Sequence, residues 1–429
     1  MRLLKTVGSD ADDWEPQLVD FRGEEYAILS HRWQPNARNE VLFTDIRVID
    51  DGGPGPGSNR LAEYYINPMF GRRDLVQLPG YRKLRGAARL AAREGYDFIW
   101  IDTCCIDKSS STELSEAINS MYKWYRGSQI CFAYLEDVPN QPSASWIETG
   151  LGSDFSRSTW WSRCWTLQEL VAPQHVFFYS KGWTWIGERK ALAGDIWAIT
   201  RIGYDMLVQE KSTEHYSVAQ RMSWASRRAS TRLEDQAYSL MAIFEINMPL
   251  LYGEGAKAFL RLQEEIIKVS DDQTLFAWTN PEAEDDEVHG LLASSPAMFL
   301  QSQDIVKGSG VSGQVPYSMS HLGLSISLPM EIRRDGTWLA KLHCYANRDQ
   351  KHISLRLRQI GWDEQQYAPV SAILPPQTEH VPRRTRAPGN AGDAFLELFK
   401  SPPNKQTVVA ITDNSMAPWS TRPLRDKIG

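Results

Sequence analysis

No run of this chain approaches the length of a membrane span, and its first residues, Met1-Arg-Leu-Leu-Lys-Thr-Val-Gly-Ser-Asp10, lack the apolar core of a secretory leader. A cytoplasmic protein is expected. The five cysteines, Cys104, Cys105, Cys131, Cys164 and Cys344, show neither the C-x-x-C pairs of a zinc site nor a disulfide array, which fits a reducing compartment. The vicinal pair Cys104 and Cys105 is expected to be buried after a strand. Paired spacing is missing from the eight histidines too, so no metal site is expected. The full phosphate-loop pattern G-x-x-x-x-G-K-[ST] occurs nowhere; Gly253-Glu-Gly-Ala-Lys257 reads as a turn before a helix, with no NTPase implied. A formal net charge of -6 argues against a general nucleic-acid binder. The basic runs Arg82-Lys-Leu-Arg85 and Arg383-Arg-Thr-Arg386 are short and read as solvated faces. Neither a nucleic acid nor a membrane is expected as a partner.

What is there is a large globular chain. Its 429 residues and 42% hydrophobic content suffice for two or three packed domains. Sixteen tryptophans are unusual and point to aromatic-lined surfaces or pockets. Tyr26-Ala-Ile-Leu-Ser30, Tyr96-Asp-Phe-Ile-Trp-Ile-Asp102, Gln129-Ile-Cys-Phe-Ala-Tyr-Leu135 and Val176-Phe-Phe-Tyr179 read as short buried strands. Between them, Gly80 to Glu94 and the stretch from the Ser110–Glu113 capping box to Gly127 carry helical spacing. This alternation predicts a parallel sheet flanked by helices. Gly52-Gly-Pro-Gly-Pro-Gly57 is too rich in breakers for regular structure and reads as a mobile loop. The predicted division is an α/β domain over 1–205, a helical segment over 206–280 and a β-rich region over 281–429, with an acidic linker near Glu282 to Glu287. No internal repeat is visible.

Ligands of such sheets bind beyond the carboxyl ends of the strands. That rule gathers Ser30, His31, Arg32, Trp33, Asp102 and Glu136 on one edge, a set suited to a phosphate-bearing aromatic nucleotide. The stretch Ser158 to Pro173 begins from a loop on the same edge and reads as one amphipathic helix. At about 100° per residue, Cys164, Leu167, Leu170 and Val171 face a sheet, while Trp161, Trp165, Gln168 and Glu169 face away from the core. The spacing leaves two readings of Glu169 open: a solvated surface glutamate, or a carboxylate working among indoles.

Three motifs, Tyr26-Ala-Ile-Leu-Ser-His-Arg-Trp33, Trp100-Ile-Asp-Thr-Cys-Cys-Ile-Asp-Lys108 and Arg163-Cys-Trp-Thr-Leu-Gln-Glu-Leu-Val-Ala-Pro173, closely resemble the fungal heterokaryon incompatibility (HET) domain, in the same order. The later stretches Ala219 to Ala225, Leu233 to Tyr238 and Met248 to Gly255 are similar to the segment carboxyl-terminal to that domain in such proteins. Cys164 stands where the family is expected to carry glycine. The resemblance implies cell death triggered when genetically unlike cells fuse. A more distant likeness links the motifs to Toll/interleukin-receptor (TIR) domains, some of which cleave NAD. Trp165-Thr-Leu-Gln-Glu-Leu170 resembles their catalytic helix, with one residue more between tryptophan and glutamate. The resemblance thus implies a TIR-like α/β domain in which Glu169 is catalytic and Ser30, His31, Arg32, Trp33, Asp102 and Trp165 line the substrate site. It also implies NAD as substrate rather than cofactor, assembly of the chain with itself on activation, and a protein partner in incompatibility signalling. The same motifs are compatible with a second reading, a non-enzymatic death-signalling module that works by self-assembly or partner binding.

Overall fold

The computed structural model describes residues 1–34, 36–48, 75–140, 149–280, 289–308, 317–320, 323–359, 366–369 and 407–411. The chain forms two compact units, Met1–His215 with Arg227–Ala258, and Tyr216–Ser226 with Phe259–Gly429. Gly52 to Gly57, Glu282 to Glu287 and Arg383 to Arg386 lie outside the described residues.

The first unit is built on eight strands: β1 (Arg2–Lys5), β2 (Gln17–Asp20), β3 (Ala27–His31), β4 (Arg47–Val48), β5 (Phe98–Trp100), β6 (Ile130–Leu135), β7 (Val176–Ser180) and β8 (Trp185–Glu188). Their order in the sheet is β4-β2-β1-β5-β3-β6-β7-β8. The predicted strands form its centre: β5, β3, β6 and β7 are neighbours, all parallel. β3 and β6 are buried at every position, which explains why their sequences read as unbroken apolar runs rather than alternating ones. The N-terminal strands β1 and β2 and the edge strand β8 pair antiparallel. At four residues each they are too short for periodicity to reveal.

The first two long helices match their sequence signals. α1 (Pro79–Arg93) starts with proline at its first turn, buries Leu84, Ala87, Ala88 and Ala91, and ends before Gly95, whose φ is 87°. A short α2 (Asp102–Cys105) comes after β5, and α3 (Ser111–Gly127) is capped by Ser110, whose hydroxyl accepts from the Glu113 N–H. The Glu113 side chain does not complete the box; it pairs with Arg2 and accepts from the Asp107 N–H. Cys104 and Cys105 are both buried.

The stretch Ser158 to Pro173 departs from expectation. It is not one amphipathic helix. After α4 (Asp154–Arg157) comes a 3-10 turn, Thr159–Ser162, and then α5 (Thr166–Val171), all six of whose residues are buried. Glu169 therefore faces inward, against the sequence expectation. Trp160 and Trp161 are buried with it, packed edge-on among Phe155 and Phe178. A helix wedged between packed layers has no solvent face for periodicity to report.

α6 (Ala193–Thr200) and α7 (Tyr204–Leu207) come after β8, and α9 (Asp235–Tyr238) completes this unit after α8 (Val218–Ala225), which belongs to the second. The Gly253–Gly255 turn has positive φ at both glycines, and their N–H groups donate to the Glu234 carboxylate at 2.7 and 3.0 Å. This small anion nest is filled by the protein's own side chain.

The second unit takes α10 (Lys257–Val269) from Phe259 onward and a sheet of β9 (Ile305–Lys307), β10 (Ser318–Ser320), β11 (Gly323–Leu328), β12 (Met330–Ile332), β13 (Trp338–Ala346), β14 (Lys351–Gln359), β15 (Gln366–Pro369) and β16 (Thr407–Ile411). The order is β10-β11-β16-β15-β14-β13-β12, with β9 on β13. Among the described residues of this sheet only β15 and β16 pair parallel. The architecture is the expected one, α/β first and β-rich after. Among the described residues no helix is long and apolar enough to cross a membrane.

Candidate active site

Parallel pairing of β3 with β5 and β6 brings the ends of three strands side by side, and β3 delivers Ser30 and His31 to that edge. α5 presses Glu169 against it from behind. The Ser30 hydroxyl, fully buried, donates to Glu169 Oε2 at 2.5 Å, and its own oxygen accepts from Trp160 Nε1 at 2.9 Å. Ser30 thus gives its proton to the Glu169 carboxyl and takes a hydrogen bond from the Trp160 indole. Tyr125 of α3 also reaches Glu169 with its hydroxyl, which donates to the Leu29 carbonyl at 3.0 Å.

Glu169 is only 7% exposed. Burial pushes its carboxyl up to about 8; the negative charge of Asp102 adds to the shift, while the Ser30 hydrogen bond, Arg163 and Arg228 oppose it. At neutral pH the ligand-free carboxyl holds a proton. The unfolded chain releases that proton above the ordinary value of 4.5. This group's contribution to stability is thus complete below 4.5, declines as pH rises, and is lost once pH passes about 8. Glu169→Gln has nothing to titrate. Thermal unfolding should show the variant gaining on the native protein from pH 5 to pH 9; the span from 4.5 to about 8, at about 1.4 kcal/mol per pH unit, sets a ceiling of roughly 5 kcal/mol. Equal slopes for the two proteins would contradict the buried carboxyl.

The outer part of the site surrounds Trp33. Its indole Nε1 donates to Asp102 Oδ2 at 2.6 Å, and the Lys108 ammonium sits 4.0 Å from its ring centroid. Lys108 also donates to the Asp102 carbonyl, at 2.5 Å. His31 Nε2 lies 3.6 Å from Asp102 Oδ1, and neither ring nitrogen has a hydrogen-bond partner. Burial and the nearby Lys83, Arg163 and Lys108 hold the His31 imidazole well below its ordinary range, so it is neutral. Arg32 is exposed and donates to the Thr159 hydroxyl at 3.1 Å. Glu136 accepts from Gln34 Nε2 at 2.7 Å, and Asp137 accepts from the hydroxyls of Ser158 and Thr159.

Ser30 and Glu169 are joined directly, and His31, Trp33 and Asp102 form a second group beside them. Trp165 points its hydrogen bond elsewhere, to the Asp235 carboxylate.

Several contributors were not legible in sequence. Lys83 is the clearest. Read as part of a solvated basic run, it is in fact buried, pairs with the buried Glu40 at 2.5 Å and donates to the Arg32 carbonyl at 3.1 Å. Glu40 also accepts from the Gln34 N–H at 2.6 Å. The pair thereby fixes the loop carrying Arg32 and Trp33. Packing is tight around it: a Cβ on Gly80 would come within 2.8 Å of the Glu40 Cα. Arg85, from the same run, is spent on the carbonyls of Ser9 and Ala11. Lys108 stood within a recognised motif and could have been found; Glu40, Lys83 and Arg228 come from elements that only the fold brings near.

Residues 26–149 match the family described as heterokaryon incompatibility protein (HET), and residues 257–305 match a domain of unknown function, DUF8212. The chain is 41% identical over 278 residues to the vegetative incompatibility protein HET-E-1 of Podospora anserina. That alignment covers 62% of this chain and 18% of the length of HET-E-1. No solved structure matches. The likeness to TIR domains rests on the sequence motifs alone.

Proposed function

We propose, from the premise that this chain carries a fungal heterokaryon incompatibility domain, that it is a death effector of vegetative incompatibility which cleaves the nicotinamide–ribose bond of NAD through Glu169. The observation that carries the reading is the carboxyl itself. It is buried, held by Ser30 at the carboxyl end of β3, and close enough to Asp102 to feel its charge, while Trp33 donates to that same Asp102.

The chemistry suits so sparse a site. Nicotinamide is already cationic in NAD, so the glycosidic C–N bond breaks with its electron pair going to the departing ring, which leaves neutral without a general acid. The ribosyl group becomes an oxocarbenium-like cation that water captures, giving ADP-ribose and one proton. A carboxylate beside that ribose stabilises the developing charge. Placing a pyridinium near Glu169 favours the ionised carboxyl, so substrate binding expels the proton that burial retains. Trp33 offers a ring for stacking and Arg32 a guanidinium for the phosphates. His31 stays neutral, and its buried side chain lies 3.6 Å from Asp102.

The non-enzymatic reading gains less. Of the two tryptophans expected on the Glu169 face, Trp161 is buried among Phe155 and Phe178, while Trp165 is half-buried and bonded to Asp235. Incubation of the purified chain with NAD, with the products then separated by chromatography, tests the proposal. Nicotinamide should appear in equal amount to the NAD lost. Intact NAD across a range of protein concentrations, with the protein folded, would reject it.

A further inference from the structure

The segment Arg227–Ala258 belongs to the first unit, although Tyr216–Ser226 before it and everything from Phe259 onward belong to the second. It is laid across the stretch that leads into α5. The Ala229 N–H donates to the Ser162 carbonyl at 2.6 Å, and the Cys164 N–H donates to the Ala229 carbonyl at 3.0 Å, forming a parallel bridge. Beside this bridge the buried Arg228 donates through Nη1 to the Arg163 carbonyl at 2.9 Å and to the Thr166 hydroxyl oxygen at 2.8 Å. Thr166 in turn donates to the Trp160 carbonyl at 2.7 Å. Trp160 is the residue whose indole engages Ser30. Further along, Asp235 accepts from the Trp165 indole and, at 3.0 Å, from the Tyr252 hydroxyl. The strap thus grips residues 162–166, the last of which, Thr166, begins the helix α5 that carries Glu169.

A buried guanidinium is a costly filler where an apolar side chain would pack as well. We propose that Arg228 is a positioning residue of the Glu169 site: from the segment Arg227–Ala258, its guanidinium fixes the start of α5 and places a positive charge beside the carboxyl. Burial draws Arg228 down to about 10, which still leaves it charged at neutral pH. The groups facing Glu169 are Ser30 from β3, Asp102 from α2, Tyr125 from α3, Cys131 from β6, Arg163 ahead of α5, and Arg228. The tyrosine and the thiol are pushed far up by burial and stay neutral. Of the remaining charges, Arg163 and Arg228 favour the ionised carboxyl and Asp102 opposes it.

The proposal rests on Glu169 as the acting carboxyl in NAD cleavage, and its test separates the two. Full-length native protein, Arg228→Gln and Arg228→Lys are each prepared with and without Glu169→Gln. The first readout is the pH midpoint of the stability difference that Glu169→Gln produces in each background. Arg228→Gln should move that midpoint upward by about half to one pH unit, and Arg228→Lys by less. The second is NAD turnover: Arg228→Gln should lower kcat about tenfold at pH 7.5 with KM changed less than about threefold, and shift the pH limb upward by the same amount. An unmoved midpoint overturns the role of Arg228, even where kcat falls. A moved midpoint in a chain whose native form never consumes NAD keeps Arg228 as the partner of the carboxyl and rejects NAD cleavage. Should Arg228→Gln fail to fold, Arg228→Met, which also removes the charge, carries the same comparison.

Discussion

Glu169→Gln is expected to lower kcat for NAD cleavage by at least about 100- to 1000-fold, the loss typical of removing one preorganised group that meets transition-state charge. Glutamine keeps the shape of the side chain and can still accept a hydrogen bond from Ser30, so the structural consequence should be small. Only the ability to carry a negative charge is lost. The substitution also removes a group whose ionised form is disfavoured by burial, so the variant should be more stable than the native protein at alkaline pH. Loss of activity together with gain of stability is the signature of a residue kept for chemistry. A variant that lost both would mark Glu169 as a packing residue instead. In cells, the same substitution should abolish toxicity while leaving the protein level unchanged.

The second large effect belongs to Lys83. Replacing it with methionine leaves Glu40 buried beside a partner that can no longer neutralise it, and breaking a buried pair in this way typically costs about 3–5 kcal/mol. Denaturant unfolding of Lys83→Met should show a loss of that order. The double variant Lys83→Met with Glu40→Leu should recover much of it, because no charge then remains buried. Recovery of stability without recovery of substrate binding is the outcome that the geometry predicts, since the pair holds the Arg32 carbonyl and the Gln34 N–H. Additive losses in the double variant would show that the two side chains act independently.

How far the sequence reached can be judged from particular residues. The central strands were legible because β6 is apolar throughout and β3 is apolar up to Ser30 and His31, as strands covered on both faces tend to be. Helix α1 carried periodic spacing with Gly95 as its stop, and α3 carried the Ser110 cap with periodic spacing. The edge strands β1, β2 and β8 carried too few residues to show a period. The α5 segment misled for a physical reason: an angular projection assumes one solvent face, and a six-residue helix buried on every side has none. That error mattered, because the raised proton affinity of Glu169 stems from the burial that the projection denied. Ser30 and Glu169, 139 positions apart, were placed on one sheet edge by the strand order but not in contact; the fold puts them 2.5 Å apart. Lys83 looked like one charge of a surface run, since sequence cannot show that Glu40 awaits it. Arg228 stood in a helical-looking stretch with no motif of its own.

The most direct test of the account is the pH dependence of kcat/KM for NAD, measured on the full chain and on Glu169→Gln across about pH 5.5 to 9.5. The account predicts that native activity rises about tenfold per pH unit at the acid end and levels off near pH 8, where the free carboxyl ionises, with Glu169→Gln near zero throughout. Native activity independent of pH, or a variant that retains the native rate, would contradict it.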